Sequence, residues 1–208
     1  MKNLLKPKLF IAVTIITFLS YSCDNDDDNE IINEANSVIS LQEEEGLLFM
    51  LEEEKLARDT YNYLYNVWGS NVFNNIKSSE QTHMNTVSNL LDQNNISYTI
   101  LPEGQFEDES LQLLFNQFVE DGQVSVLSAY NIGALIEDLD ISDLEEFINE
   151  TNNEDIVIAY NLLECGSRNH LRSFVTNITD NDGQYLPQFL SLENFNDIIN
   201  GSHENCNQ

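Results

Sequence analysis

The sequence is poor in basic residues. Only eight Lys and Arg stand against 36 Asp and Glu among 208 residues, which gives a formal net charge of −28 at pH 7. Proteins that bind nucleic acids neutralise the phosphates with clustered Lys and Arg. A nucleic acid is therefore excluded as the expected partner. Most of the acids are expected on a solvated surface, with the remainder available to attract cations or a basic partner.

Cysteine, proline and glycine are also scarce. The three cysteines lie far apart at Cys23, Cys165 and Cys206, which excludes a zinc ribbon or finger because those sites need close-spaced pairs. Cys165 and Cys206 can pair in an oxidising compartment, but the sequence does not decide whether they do. The three prolines and eight glycines fall mostly at plausible segment ends, and strand-like alternation appears only in "ISYTIL" at 96–101.

The N-terminus has the pattern of a targeting segment. Three lysines precede the apolar run "IAVTIITFLS", which is shorter than the roughly 20 residues of a membrane-spanning helix. The run leads through "FLSYSC" to Cys23, so residues 1–22 resemble a bacterial lipoprotein signal peptide with Cys23 as the lipidated first residue of the mature protein. The alternative is a plain cleaved secretory signal.

An acidic stretch, "DNDDDNE", follows the cysteine at 24–30. Its position resembles the surface-export signal of Bacteroidetes lipoproteins, which implies an outer-membrane lipoprotein of the cell envelope exported to the surface. Under the plain secretory alternative this stretch is a solvated linker. A calcium loop is not expected, because no Gly and no closing Glu occur at the required spacing. We expect residues 23–40 to form a flexible acidic tether.

From Leu41 onward the apolar residues recur at helical spacing. Four long helices are predicted, with a bend in the third at "DLDISD", and two short helices are predicted in addition. The long segments are 41–68, 72–94, 124–150 and 153–177; the short ones are 108–120 and "SLENFNDIIN". This pattern predicts an all-α four-helix bundle over residues 41–200 and a tail at 201–208. A long crossover between the second and third long helices is what ferritin-like bundles use.

Each long helix carries a polar interruption in its apolar stripe. The interruptions are Glu54 on the first, Glu80 and His83 on the second, Glu137 and Asp140 on the third, and His170 on the fourth. Singly, such a histidine is usually a hydrogen-bonded core residue and such a glutamate an ion-pair partner of a nearby arginine. Burying several unpaired carboxylates at one depth is costly unless cations neutralise them. Two divalent cations satisfy all four helices, and oxygen with imidazole ligands suits iron, manganese or zinc.

The motifs also resemble a known superfamily. "EEKLARDTY" is similar to the rubrerythrin pattern Glu-x-x-Ala-Arg-x-x-Tyr, which falls on Glu54, Ala57, Arg58 and Tyr61. Together "EEEKLARD", "SEQTHM", "GALIEDLDI" and "GSRNHLRSF" resemble the ferritin-like di-metal carboxylate superfamily, and within it an uncharacterised bacterial and archaeal family. The resemblance covers roughly residues 45–178.

The superfamily plan takes Glu from two helices and Glu-x-x-His from two others. With this plan as a guide, we expect Glu80 and Glu137 to bridge two metals. Glu54 and His83 are expected to hold one of them, and His170 with Asp140 the other.

One position departs from this plan, since Ser167 stands where the plan has a Glu. Asp140 or Glu164 can replace that ligand. Without such a replacement the site holds its second metal weakly or is mononuclear.

Two arginines are expected just outside the metal ligands. Arg58 is expected to neutralise a ligand carboxylate. Arg168 is expected to pair with Glu53 or Asp138.

The resemblance implies redox chemistry, either oxidation of ferrous iron or reduction of peroxide or dioxygen. Iron is the first metal expected. Tyr61, Tyr130 and Tyr160 fall on inward stripes and serve either as relays or as core aromatics. Two other possibilities remain open: metal binding or sensing without turnover, and a structural or interaction bundle. No catalytic residue is assigned. A tethered chain argues against a storage cage, and a homodimer remains open.

Overall fold

The computed structural model describes residues 39–206. These residues form six α-helices and no strand. The helices are α1 Leu41–Trp68, α2 Asn71–Gln93, α3 Glu109–Gly122, α4 Val126–Glu150, α5 Glu154–Asp180 and α6 Leu192–Asn200. The prediction of an all-α fold is confirmed for these residues. The segment at 96–101 is irregular, and α4 continues through "DLDISD" without interruption.

Local capping explains where the first helix begins and ends. The Ser40 hydroxyl accepts a hydrogen bond from the backbone N–H of Glu43, whose carboxylate in turn accepts one from the N–H of Ser40. This reciprocal pair satisfies two amides that the first turn leaves free. At the other end Gly69 adopts a left-handed conformation (φ 66°), which glycine adopts without the steric cost that a Cβ would bring. Its N–H donates to the carbonyl of Tyr65.

The four long helices pack as a bundle. Helix α1 packs on α2 and α4 packs on α5 along most of their lengths, while α2 contacts α5 and α1 contacts α4. The connection between α2 and α4 spans residues 94–125 and contains α3.

A buried lysine holds this long connection against α1. The Nζ of Lys55 lies 2.6 Å from Asp59, 3.1 Å from the carbonyl of Pro102 and 2.9 Å from that of Gln105. The N–H of Gly104 donates to the same Asp59 carboxylate.

The core divides into two apolar clusters with a polar layer between them. One cluster holds the C-terminal half of α1 together with aromatic residues such as Phe73 and Phe174. The other holds the N-terminal half of α1 with Met84, Leu144 and Leu163. On each long helix the predicted polar interruption lies at the boundary between the clusters. The two apolar layers therefore place those polar side chains at one depth.

The C-terminal segment is fastened to α5. Cys165 and Cys206 form a disulfide, with their Cα atoms 5.7 Å apart. The carboxylate of Glu204 accepts hydrogen bonds from Arg168 and Arg172. The pairing that the sequence left open is present.

No helix among residues 39–206 combines the length and apolarity that crossing a bilayer requires. The signal peptide at 1–22, the lipidation site at Cys23 and nearly all of the tether predicted for residues 23–40 lie outside the described residues.

Candidate metal centre

Four helices bring carboxylates and imidazoles together in the polar layer. Two groups of three residues each offer one ligand atom within 4.8 Å of the others. The first group is Glu54, Glu80 and His83, and the second is Glu80, Glu137 and His170. All five residues are buried. Five of the six metal ligands predicted from the sequence therefore meet in one place.

Glu80 belongs to both groups and divides its two oxygens between them. Its Oε2 lies 2.8 Å from Nδ1 of His83, and its Oε1 lies 2.9 Å from Nδ1 of His170. Each histidine also faces a second carboxylate, His83 at 3.2 Å from Glu54 and His170 at 3.4 Å from Glu137. A carboxylate that places one oxygen in each of two donor sets can bridge two cations.

The two imidazole rings are held in matching orientations. They stack with centroids 5.6 Å apart and planes at 26°. A Cβ added at Gly166 of α5 would lie 2.5 Å from Nε2 of His83. The backbone of α5 therefore packs against the far side of the His83 ring, and Nδ1 is the nitrogen directed at the carboxylates.

Several polar atoms in this layer are buried without a hydrogen bond. They are Oε1 of Glu54, Oε1 of Glu80, Nδ1 of His170 and both oxygens of Glu53 and Asp140. Buried polar atoms almost always have a partner, so each such atom needs an explanation. Cations bound between the helices would explain the unpaired atoms that belong to the two donor groups. Oxygen and imidazole donors at these positions fit iron, manganese or zinc.

Burial and mutual repulsion disturb the acid–base properties of the carboxylates. Burial raises the pKa of Glu54 to about 7 despite the attraction of His83. Burial and the charge of Glu80 also raise the pKa of Glu137. Burial alone would raise the pKa of Glu80 too, but His170 and His83 together hold it well below its ordinary value. Glu80 is thus the carboxylate that stays ionised most readily.

Burial and the neighbouring carboxylates act on the pKa values of the two histidines in opposite directions. Burial works against the charged imidazole, but Glu80 and Glu137 outweigh it and raise the pKa of His170 to about 10. Glu54 and Glu80 raise the pKa of His83 well above its ordinary value. Without metal, the two histidines hold protons that partly neutralise the carboxylates.

Tyr61 extends the site toward the aromatic cluster. Its hydroxyl donates to Glu137 and lies 3.4 Å from the carbonyl of Gly133. Burial and the adjacent Glu137 raise the pKa of Tyr61 well above its ordinary value. The other two inward tyrosines lie elsewhere: Tyr130 bonds to Ser70 at 2.9 Å, and Tyr160 packs on Phe147.

Asp140 lies in the polar layer but in neither donor group. Burial and the charges of Glu54 and Glu137 raise its pKa well above the ordinary value. The hydroxyl of Ser167 donates to the carbonyl of Leu163 at 3.0 Å. Glu164, the second candidate to replace the missing Glu, is ion-paired with Arg168. Neither replacement carboxylate joins the two groups in this structure.

Both predicted arginine pairings require correction. Arg58 donates to Asp59 and to Gln81, so it neutralises no carboxylate of the two groups. Arg168 binds Glu164 and Glu204 on the outer side of α5. Its position on the helix directs it toward the C-terminal segment.

Asp138 and Glu53 have roles that the sequence did not reveal. Asp138 is fully buried and accepts hydrogen bonds from the Tyr185 hydroxyl and the backbone N–H groups of residues 188–190. It fastens the segment before α6 to α4, beside Glu137. Glu53 is only 2% exposed, and burial together with Asp143 and Asp140 raises its pKa well above the ordinary value. In the sequence, each of these two residues is marked only by its position next to a predicted ligand, Asp138 beside Glu137 and Glu53 beside Glu54.

Comparisons with known proteins agree with each other. Residues 43–202 match the family described as "Uncharacterized protein domain (DUF2202)". The uncharacterized protein MJ0754 of Methanocaldococcus jannaschii is 47% identical over 168 residues, which cover 80% of this chain and 91% of that protein. The crystal structure of the hypothetical protein MJ0754 superposes with a TM-score of 0.79, covering 80% of this chain and 96% of that one. The chain belongs to the DUF2202 family.

Proposed function

We propose that this chain is a ferritin-like di-metal protein that oxidises ferrous iron or reduces peroxide or dioxygen. The observation that carries the proposal is the sharing of Glu80 between two buried donor groups from four helices. Two divalent cations, iron first and manganese or zinc otherwise, would be held by Glu54, Glu80 and His83 on one side and Glu80, Glu137 and His170 on the other. The long connection between α2 and α4 is consistent with the ferritin-like plan.

A pair of iron or manganese ions would supply electrons to small oxidants one at a time, whereas zinc would bind without redox chemistry. The chain's own residues bind and orient them. Glu80 would hold both cations, together with the stacked histidines, which direct Nδ1 from α2 and α5 toward its carboxylate. The hydroxyl of Tyr61 fixes the orientation of Glu137 and keeps a proton beside the site. Apolar layers on both sides exclude bulk water from these groups.

A second candidate function is metal binding or sensing without turnover. Ser167 favours it, because its hydroxyl is engaged with the Leu163 carbonyl and supplies no carboxylate where the ferritin-like plan has one. A second cation would then be held by fewer charged oxygens.

Attachment to the cell envelope through Cys23 is part of either proposal and depends on the sequence pattern alone. Electrons would come from the substrate or from an outside donor.

Two measurements test the proposal. The first is the metal content of the native protein, for which we expect two cations per chain, and less than one in Glu80→Gln. The second is the absorbance change after ferrous iron and then oxygen or peroxide are added. A rapid change supports turnover, and bound metal without any change favours the second candidate. Metal content near zero under loading conditions would remove both.

A further inference from the structure

A separate groove of about 680 Å³ opens on the surface of the bundle. It is bounded by the first half of α1, the irregular segment at 97–99, the start of α3 and the last turn of α4. Its volume lies in the range of small-molecule sites, which is about 300–1,000 Å³. None of the two donor groups' residues lines it.

The floor of the groove is apolar and aromatic. Leu48, Phe49, Tyr98 and Phe147 line it and are each only partly covered by the rest of the protein. Phe49 and Phe147 meet edge to face with centroids 6.0 Å apart. Partly covered aromatic surface of this kind gains stability when an apolar body covers it.

The rim of the groove is acidic, and part of that charge is already used. The carboxylate of Glu52 accepts the backbone N–H groups of Glu107 and Asp108 at 2.9 and 2.8 Å. Asp108 caps α3 by accepting from the N–H groups of residues 110 and 111. These two acids serve the fold.

Three further carboxylates on the rim face solvent. Glu45, Glu107 and Glu150 are exposed, and among these Glu150 accepts one hydrogen bond, from the side chain of Gln42 at 3.0 Å. No Lys or Arg of the described residues lines this groove. Like charges around one opening repel each other, so a bound cation would relieve their repulsion.

We propose that this groove binds an organic cation with an apolar body, such as an aryl-alkyl amine. The rim supplies the charge that an ammonium or guanidinium group needs, and the floor supplies the surface that an aromatic or aliphatic body needs. A bare metal ion would leave the apolar floor uncovered, and an anion would face three carboxylates. The proposal is independent of metal binding in the polar layer.

Calorimetric titration with three probes tests the class of ligand. 4-Phenylbutylammonium is expected to bind with a stoichiometry of one. Butylammonium, which lacks the ring, is expected to bind at least about fivefold more weakly because it covers less apolar surface. 4-Phenylbutyrate, which carries the opposite charge, is expected not to bind. Equal affinity for the two amines, or binding of the carboxylate, would overturn the proposal.

Matched variants test the position of the site. Glu45→Gln with Glu107→Gln is expected to lower the affinity for 4-phenylbutylammonium about tenfold. Glu120→Gln with Asp180→Asn removes the same charge from exposed positions elsewhere and is expected to leave it within about twofold. Ser97→Phe, at an exposed position on the wall, is expected to weaken binding several-fold, because the added ring occupies part of the groove.

If the two double variants lost the same affinity for 4-phenylbutylammonium, the ligand would be attracted by the net charge of the protein alone. That result would contradict a specific site in the groove. Unchanged binding in Ser97→Phe would do the same. Far-ultraviolet circular dichroism of each variant verifies that the helices are intact.

Discussion

Nδ1 of His170 and Oε1 of Glu80 lie 2.9 Å apart inside the protein, and neither atom has a hydrogen-bond partner. A cation bound beside the two atoms would satisfy both of them. A carboxylate oxygen of Glu137 lies 3.4 Å from the same nitrogen. In the metal-free protein the charged His170 is paired with these carboxylates, and a cation bound among them would displace its proton.

Glu80→Gln should remove both bound metals, because the carboxylate serves both donor groups. Glu137→Gln should remove only the metal held with His170. Elemental analysis after loading and desalting measures both, with the exposed Glu120→Gln as the control that keeps two. If Glu80→Gln and Glu137→Gln each lost a single metal, Glu80 would not be the bridging ligand.

The stability of the metal-free protein should fall as the pH rises from 6.5 to 10. The folded protein holds the His170 proton up to a pKa of about 10, whereas the unfolded chain releases it near 6.5. Glu54, with a pKa of about 7 instead of 4.5, adds a loss of the same sign between pH 4.5 and 7. A state that binds more protons when folded loses stability as they leave.

Urea unfolding in the presence of a chelator, at pH 6, 8 and 9.5, measures this dependence. His170→Gln should reduce the dependence above pH 7.5, and the part that remains is expected from His83, whose pKa is also raised well above its ordinary value. Metal affinity should change in the opposite direction and rise with pH, since binding displaces the same protons. A metal affinity that does not change between pH 6 and 9 would exclude His170 as a ligand.

Much of the fold follows from local sequence signals. The predicted segments match the observed helices within a few residues, because apolar spacing and caps such as Ser40 and Gly69 act over a single turn. The bend expected at "DLDISD" does not occur. Asp138 and Asp140 in this stretch are both buried, and the helix continues through them.

The residues of the two donor groups were predicted because helical spacing places a polar residue on a buried face. Glu54, Glu80, His83, Glu137 and His170 all followed from that criterion. The partners of Arg58 and Arg168 did not, because they depend on which helix face meets the long connection or the C-terminal segment. The Cys165–Cys206 pair and the anchoring of residues 188–190 by Asp138 are contacts between distant parts of the chain, which no local pattern encodes.

Gly166→Ala should displace His83 and weaken the first metal position. The added Cβ would lie 2.5 Å from Nε2 of the ring, so the ring or α5 must shift. We expect a loss of about 1–3 kcal/mol in the free energy of unfolding and a metal content near one per chain. Gly46→Ala is the matched control, because its Cβ would meet Phe147 at 3.4 Å, and it should be neutral or stabilising by up to about 1 kcal/mol. Full metal content in Gly166→Ala would contradict the assignment of His83.

Tyr61→Phe should slow the oxidation of bound ferrous iron without removing it. The variant leaves Glu137 without the hydroxyl that orients it, and we expect unfolding to become about 1–2 kcal/mol easier. Tyr130→Phe, which loses only the bond to Ser70, should keep the wild-type oxidation rate. Stopped-flow absorbance and thermal melts measure the two effects. Identical rates in both variants would restrict Tyr61 to a packing role.

Anomalous diffraction from crystals of the metal-loaded protein tests the central claim most directly. Data collected on both sides of the absorption edge of the added metal should show two peaks in the polar layer. One peak should lie among Glu54, Glu80 and His83, and the other among Glu80, Glu137 and His170. Peaks confined to the acidic surface, with no density beside Glu80, would contradict the assignment of a metal centre.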